Sequence, residues 1–132
     1  MRTFSPGKQI TWEANVSLTT AQFTPVVLVA GGTNGPQARV AQAGSGVRAH
    51  GVLQNKPLQY KGAVVMIDGI TQLVVDGSGT PIAAGDPLKV GAAGVCVKAT
   101  SDKDHVIATA AEGSIAANDI IEAVITIYDL AV

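Results

Sequence analysis

The sequence predicts an all-β fold: a single small β-sandwich or β-barrel domain of about nine to eleven short strands with an extended N-terminal arm. Three observations lead there. Glycine (15) and proline (6) are spread through all 132 residues and cut the chain into short segments, the punctuation of an all-β domain. Nearly every segment between these breaks is an alternating or β-branched apolar run too short for a helix. Apolar residues make up 47% of the chain but aromatics only 4%. The core is therefore built from Val, Ile, Leu and Ala, which suit thin β layers.

Taken in order, residues 1–8 hold Pro and Gly without a pattern and read as a flexible or partner-ordered arm. Ile10, Trp12, Ala14, Val16 and Leu18 then alternate with Thr11, Glu13, Asn15 and Ser17, which predicts a half-buried strand running to Leu18. The expected division is an N-terminal arm and strand over 1–20 and a β-rich body over 21–132. Trp12 has two readings, a cap on the domain's own core or an anchor for the arm on a neighbouring subunit.

Pro25–Ala30 is a short apolar strand closed by the loop Gly31-Gly32-Thr33-Asn34-Gly35-Pro36. That loop lacks the Gly-Lys-Ser/Thr ending of a phosphate loop and opens no helical pattern, so it reads as an exposed tip. Strands are expected near 37–43 and 47–55. Asp68-Gly69 separates Ala63–Ile67 from Ile70–Val75, which predicts a hairpin with a type I′ turn. Further on, one phrase occurs twice: Ile82-Ala83-Ala84-Gly85-Asp86-Pro87-Leu88 and Ile115-Ala116-Ala117-Asn118-Asp119-Ile120-Ile121. Gly and Asn tolerate a left-handed backbone and Asp accepts bonds from nearby amides, so each copy reads as a tight turn into a strand. Two more strands lie between them, at Val95–Lys98 and His105–Ala108. A single helical turn is allowed only near Ala110–Ile115.

Composition narrows function. The formal net charge is −1, with the nine Lys and Arg scattered singly. Nucleic acid is thus not expected as a partner, because phosphate binding needs a clustered basic face. No apolar run reaches the ~18 residues of a membrane span, and no apolar segment follows the N-terminus to make a signal peptide. No membrane partner is expected, and synthesis in a cytoplasm is. Charged residues are 14%, below the ordinary ~25%, which has two readings: surface hidden against partners, or a small, tightly turned domain with a Thr/Gln/Ser surface.

Groups with chemistry are few. The lone Cys96 lies between valines, as a small core residue does, and not in the electropositive opening a nucleophile needs. His50 and His105 lack metal-ligand spacing. Asp102, Asp104 and His105 fall short of a calcium loop's ordered oxygen set. Asp68, Asp76, Asp86 and Asp119 all sit at turns. No catalytic residue, cofactor or metal is expected, and the chain is not expected to be an enzyme.

Residues 47–124 resemble the small β-rich capsid decoration (cement) proteins of tailed bacteriophages. The resemblance rests on Gly51-Val52-Leu53-Gln54-Asn55-Lys56-Pro57, Asp68-Gly69 with Val74-Val75-Asp76-Gly77, the Ala83-Ala84-Gly85-Asp86 turn, Gly94-Val95-Cys96-Val97-Lys98 and Ala116-Ala117-Asn118-Asp119-Ile120-Ile121. It implies a structural virion protein, made in the host cytoplasm, that binds the outer capsid surface and clamps neighbouring major capsid subunits as a homotrimer. Its partners would be the major capsid protein and its own copies. Phe4, Ile10, Trp12, Val16 and Leu18 are the candidate residues for lashing the body to its neighbours. The alternative is a receptor- or carbohydrate-binding β module of a head fibre or tail. For sugars, Tyr60 is the one aromatic in a clear loop.

Overall fold

The computed structural model describes residues 8–30 and 38–131. Phe4, most of the arm and the loop at 31–36 lie outside the described residues. Among the described residues, ten strands and one short 3-10 turn, Ala92–Gly94, make up the regular structure, so the all-β expectation holds. Among the described residues no helix is long and apolar enough to cross a membrane.

The strands close into two five-stranded barrels in tandem. The first contains β1 (Gln9–Ala14), β2 (Pro25–Val29), β3 (Arg39–Gln42), β4 (Gly51–Leu53) and β5 (Gly62–Met66), in the order β1-β3-β2-β4-β5. The second contains β6 (Ile70–Val75), β7 (Pro87–Val90), β8 (Cys96–Lys98), β9 (His105–Ala110) and β10 (Asp119–Asp129), in the order β10-β6-β8-β7-β9. Counted from its own first strand, each barrel has the same wiring. The first strand pairs with the third in parallel (β1–β3, β6–β8) and with the fifth antiparallel (β1–β5, β6–β10). The match extends to single bonds. Asn15 N–H donates to Val40 O, as Asp76 N–H donates to Cys96 O, both at 2.9 Å.

Each barrel has its apolar interior. Ala14, Leu18, Ala21, Val26, Val40, Leu53, Ala63 and Val65 fill the first, with Trp12, Leu28 and Ile67 packed against them. The second, larger cluster includes Leu73, Val75, Leu88, Val90, Cys96, Ile107 and Ile121, and it also takes in Ala43, Ala49, Val52 and Met66 from the first barrel. In β4 and β5, neighbouring residues face opposite ways. Leu53 and Val65 therefore serve the first barrel while Val52 and Met66 serve the seam. Polar links reinforce the seam: Gly46 N–H to Val90 O, Val74 N–H to Phe23 O, and Arg48 to Asp129.

Several local expectations change. The first strand ends at Ala14, not Leu18. Its partner β5 begins at Gly62 opposite Glu13, and the chain bends once that partner is gone. Val16 is left exposed while Leu18 turns back into the core. Asp68-Gly69 is not a hairpin turn. A type I′ turn needs a positive φ at both central residues, and here only Gly69 has one, at 100°. β5 is already paired on both sides by β1 and β4, and β6 by β10 and β8, so the pair makes the step from one barrel to the next. Residues 110–115 form no helical turn, because the amides of Ala111 and Ser114 are committed to Glu122 O and Ile82 O.

The repeated phrase is a structural pair as well. Gly85 (φ 93°) and Asn118 (φ 55°) are both left-handed. Asp86 accepts the Ala83 amide at 2.8 Å, and Asp119 accepts the Ser114 hydroxyl at 3.0 Å. The copies lie side by side, Ile82 and Ser114 exchanging both main-chain hydrogen bonds at 2.9 Å.

Candidate functional site

The shared wiring gives a way to separate residues the fold requires from residues it does not. The turn before β7 is left-handed at Gly85, and the equivalent turn before β2 is left-handed at Phe23 (φ 64°). The surrounding phrase matches, Ala21-Gln22-Phe23-Thr24-Pro25 against Ala83-Ala84-Gly85-Asp86-Pro87. So does the bond across it, Thr24 N–H to Ala21 O and Asp86 N–H to Ala83 O, both at 3.1 Å. The turn before β10 is left-handed at Asn118, and the equivalent turn before β5 is left-handed at Tyr60 (φ 65°). Barrel two fills both positions with the residue types that adopt this conformation readily. Barrel one fills them with aromatics, at about 1–2 kcal/mol each. The fold needs the turn and not the ring.

The two rings open onto different surfaces. Phe23 faces a cleft of about 360 Å³ between the barrels, floored by Met66 and Ile70 and rimmed by Gln9, Gln54, Thr71, Gln72 and Glu122. The Gln54 amide is fixed there, donating to Thr71 Oγ1 at 2.8 Å and to Val52 O at 3.1 Å. Tyr60 stands at the end of barrel one and is 55% exposed, beside Leu58 (59%) and Val16 (45%). Hydrogen bonds hold these loops together: Tyr60 N–H to Ala14 O, Leu18 N–H to Pro57 O, and the Gln59 amide to Asn15 O. The Arg39 guanidinium lies 4.7 Å from the Tyr60 ring centre and pairs with Glu13 at 2.9 Å. The Tyr with its supporting Arg matches the aromatic and Arg enrichment of protein interfaces, and Leu58 and Val16 add exposed apolar area beside it. A second apolar strip runs along the outside of β10, with Ile120, Val124, Ile127 and Tyr128 exposed and Ile115 nearby.

Of the candidate residues, Ile10 and Trp12 are half-buried on β1, Trp12 covering the first core. Leu18 is buried within that core, and Val16 alone joins an exposed patch. β1 is a stave of the closed first barrel, so residues 9–14 belong to the same folded unit as the strands after residue 20. Trp12 and Tyr60 stand out in the sequence as aromatics; no local pattern marks Phe23, Gln54 and Gln72 as parts of one site. The signal that could have found Phe23 is the Ala-x-x-Thr/Asp-Pro phrase recurring before β2 and β7.

The titratable groups are occupied structurally. Cys96 is wholly buried, and burial pushes its thiol up, away from the thiolate. His50 Nδ1 accepts the Leu28 amide at 3.1 Å. His105 bonds Asp129 at 2.8 Å, and Arg48 reaches both oxygens of the same carboxylate at 2.7 and 2.8 Å. These two contacts, His105 foremost, hold the Asp129 carboxyl below its ordinary range. Asp104 Oδ2 accepts from the Ser101 and Thr100 amides and from Lys89, and its carboxyl is lowered first of all by the Ser101 amide. Asp104 and His105 are therefore turned to different partners. Among the described residues no three His, Cys, Asp or Glu side chains gather in a metal-holding group.

These features define a tandem double-barrel β protein with an aromatic at a left-handed backbone position on each of two surfaces. No family model matches the sequence, and no curated protein matches it. Solved structures do share its fold. One is the N base of the head fibre protein gp8.5 of bacteriophage phi29, with a TM-score of 0.69, 18% identity, and coverage of 93% of this chain and 97% of that one.

Proposed function

We propose that this chain is a structural protein of a bacteriophage head, a decoration protein that attaches to the outer surface of the capsid and clamps neighbouring major capsid subunits as a homotrimer. The observation that carries the reading is the likeness of the whole double barrel, nearly end to end in both chains, to the base of a phage head fibre. The cadence of residues 47–124 supports it independently. A rigid body suits the role. Closing both sheets removes the unpaired strand edges that would otherwise invite uncontrolled pairing.

On this reading the Val16–Leu58–Tyr60 patch meets the capsid. Its apolar side chains are unsatisfied in the free chain, and its aromatic is kept at a left-handed position where the twin barrel has Asn118. The apolar strip of β10 is left for contacts between copies. Many modest contacts repeated over a shell add up through multivalency. The role asks for no catalysis.

The test has two readouts. Peptide counting on gradient-purified virions is expected to give this chain in large copy number relative to the major capsid protein. Co-sedimentation with expanded shells is expected to fall when Leu58→Glu is introduced, with unchanged circular dichroism. A few copies per particle, or full shell binding by the variant, would refute the decoration role or the assigned surface respectively. Removing residues 1–7 tests the arm without touching β1; deleting through Leu18 would remove a stave of the first barrel.

A further inference from the structure

We infer that the cleft between the barrels is a binding site for one neutral pyranose unit of a glycan, with Phe23 as its stacking surface and the glutamine amides as its hydroxyl readers. The inference is independent of capsid attachment, since the cleft and the Tyr60 patch have no residue in common.

The argument starts from Phe23. Its backbone is pinned from both sides, its N–H donating to Leu53 O at 2.7 Å and its carbonyl accepting the Val74 amide of barrel two at 3.0 Å. The turn it occupies works with glycine in the twin barrel, so the ring is not there for the turn. A strained position at a cleft is a pointer to function when the strain is actually observed, and here it is. The cleft lies at a junction of two folded units and has the volume of a small-ligand site.

The rim supplies the rest. A primary amide carries two donors and an acceptor in one plane, which matches vicinal hydroxyls. Gln54 spends both of its N–H groups on Thr71 Oγ1 and Val52 O, so its Oε1 is presented as a fixed acceptor. Gln9 and Gln72 make no side-chain hydrogen bond among the described residues, and both are exposed at the mouth. Thr71 donates to the Gln72 carbonyl at 2.9 Å, tying that segment down. Charge selects the ligand class. Among the described residues the lining has one carboxylate, Glu122, and no Lys, Arg or His. Phosphate, sulfate and uronate are therefore disfavoured, because anion sites need donors of positive sign. A polyhydroxylated ring without charge, offering a C–H face to Phe23 and hydroxyls to the amides, fits.

The experiment is an amide-resolved NMR titration of the full chain with methyl glucoside, methyl galactoside and N-acetylglucosamine, beside glucuronate and inorganic phosphate. At least one neutral sugar is expected to shift Phe23, Gln54 and Gln72 signals saturably in the millimolar range, while the anions do not. Gln72→Ala is expected to weaken this binding by about tenfold with no change in unfolding midpoint. Phe23→Gly, the residue type of the twin turn, is expected to abolish it in a folded protein. Absence of saturable shifts with every neutral sugar overturns the proposal. So does equal binding of phosphate or glucuronate, or unaltered binding by Gln72→Ala. Cleft signals that move with protein concentration alone would assign the cleft to a second copy instead, and would also overturn it.

Discussion

Adding a methyl group at Gly77 drives a carbon to 2.2 Å from Ser114 O and 2.5 Å from Ser114 C. Both are main-chain atoms, and the Ser114 main chain is itself locked to Ile82 by two hydrogen bonds. No rotamer change relieves the clash, so one of the paired phrases must shift. Gly77 also donates its N–H to Ala116 O at 3.0 Å, and that bond moves with it. Overpacking costs typically 1–3 kcal/mol, and a contact with backbone on both sides puts Gly77→Ala near the top, about 3 kcal/mol. Gly85→Ala isolates a different effect. Nothing lies within 4 Å of the added carbon, but φ is +93°, so the cost is the left-handed backbone alone, about 1–2 kcal/mol. Gly79→Ala is the control, with open space and no left-handed φ. It should gain about 0.5 kcal/mol by restricting the unfolded chain. Urea unfolding followed by far-UV circular dichroism gives all three. Equal losses for Gly77→Ala and Gly79→Ala would refute the close approach, and a neutral Gly85→Ala would refute the assignment of that turn.

Other consequences follow from the seam and the cores. Met66 is buried in the cluster that spans both barrels, so Met66→Ala should cost about 2–5 kcal/mol. In the wild type, Trp12 fluorescence from barrel one and circular dichroism from both should then give coincident urea transitions; two separated midpoints would show that the barrels unfold independently. Asp104 has a lowered carboxyl pKa in the folded state, so its contribution is present above the ordinary carboxylate value of about 3.9 and is lost as pH falls through the lower folded value. Asp104→Asn should therefore be less stable than wild type at neutral pH, the gap closing in strong acid; a gap independent of pH would refute the link. Cys96 should resist a thiol reagent until the protein unfolds, and Cys96→Ser should cost about 1–3 kcal/mol by burying a hydroxyl in place of sulfur. Fast labelling of the native protein would contradict its burial.

How much of this was legible in the sequence depends on whether the signal was local. Strand content and most strand positions were, because alternation and glycine punctuation act over a few residues. The paired phrases were, because Gly85 and Asn118 announce their own backbone. The doubling of the barrel was not. The repeat is carried by pairing between distant strands, and Val, Ala and Leu interchange freely at inward positions, so one wiring is written in two dissimilar sequences. Asp68-Gly69 shows the limit most sharply. Its local chemistry favours a hairpin, but neighbouring strands already fill both sides of β5 and β6, and tertiary pairing decides. Val16 failed for a related reason. Alternation continues in the sequence after Ala14, but the partner strand does not. The cleft was invisible because Gln9, Phe23, Gln54 and Gln72 are far apart in the chain, and glutamines elsewhere are ordinary surface.

The internal comparison turns Tyr60 into a decisive position. In the twin barrel Asn118 holds the same turn, and Asn tolerates φ near +60° far better than a bulky aromatic. Tyr60→Asn should release about 1–2 kcal/mol of backbone cost. Against that stands the loss of the Arg39 contact at 4.7 Å, about 0.5–1 kcal/mol for an exposed cation over a ring. The ring is more than half exposed, so little apolar burial is lost with it. The variant is therefore expected to be as stable as wild type or more so by up to about 1.5 kcal/mol, and, on the proposed function, to bind capsid shells less well. A residue whose removal leaves the fold intact or improved and weakens attachment is kept for its partner. If Tyr60→Asn instead loses more than about 1 kcal/mol while shell binding is unchanged, the ring is a structural cap on barrel one. The proposed assignment of the Tyr60 patch to the capsid then fails.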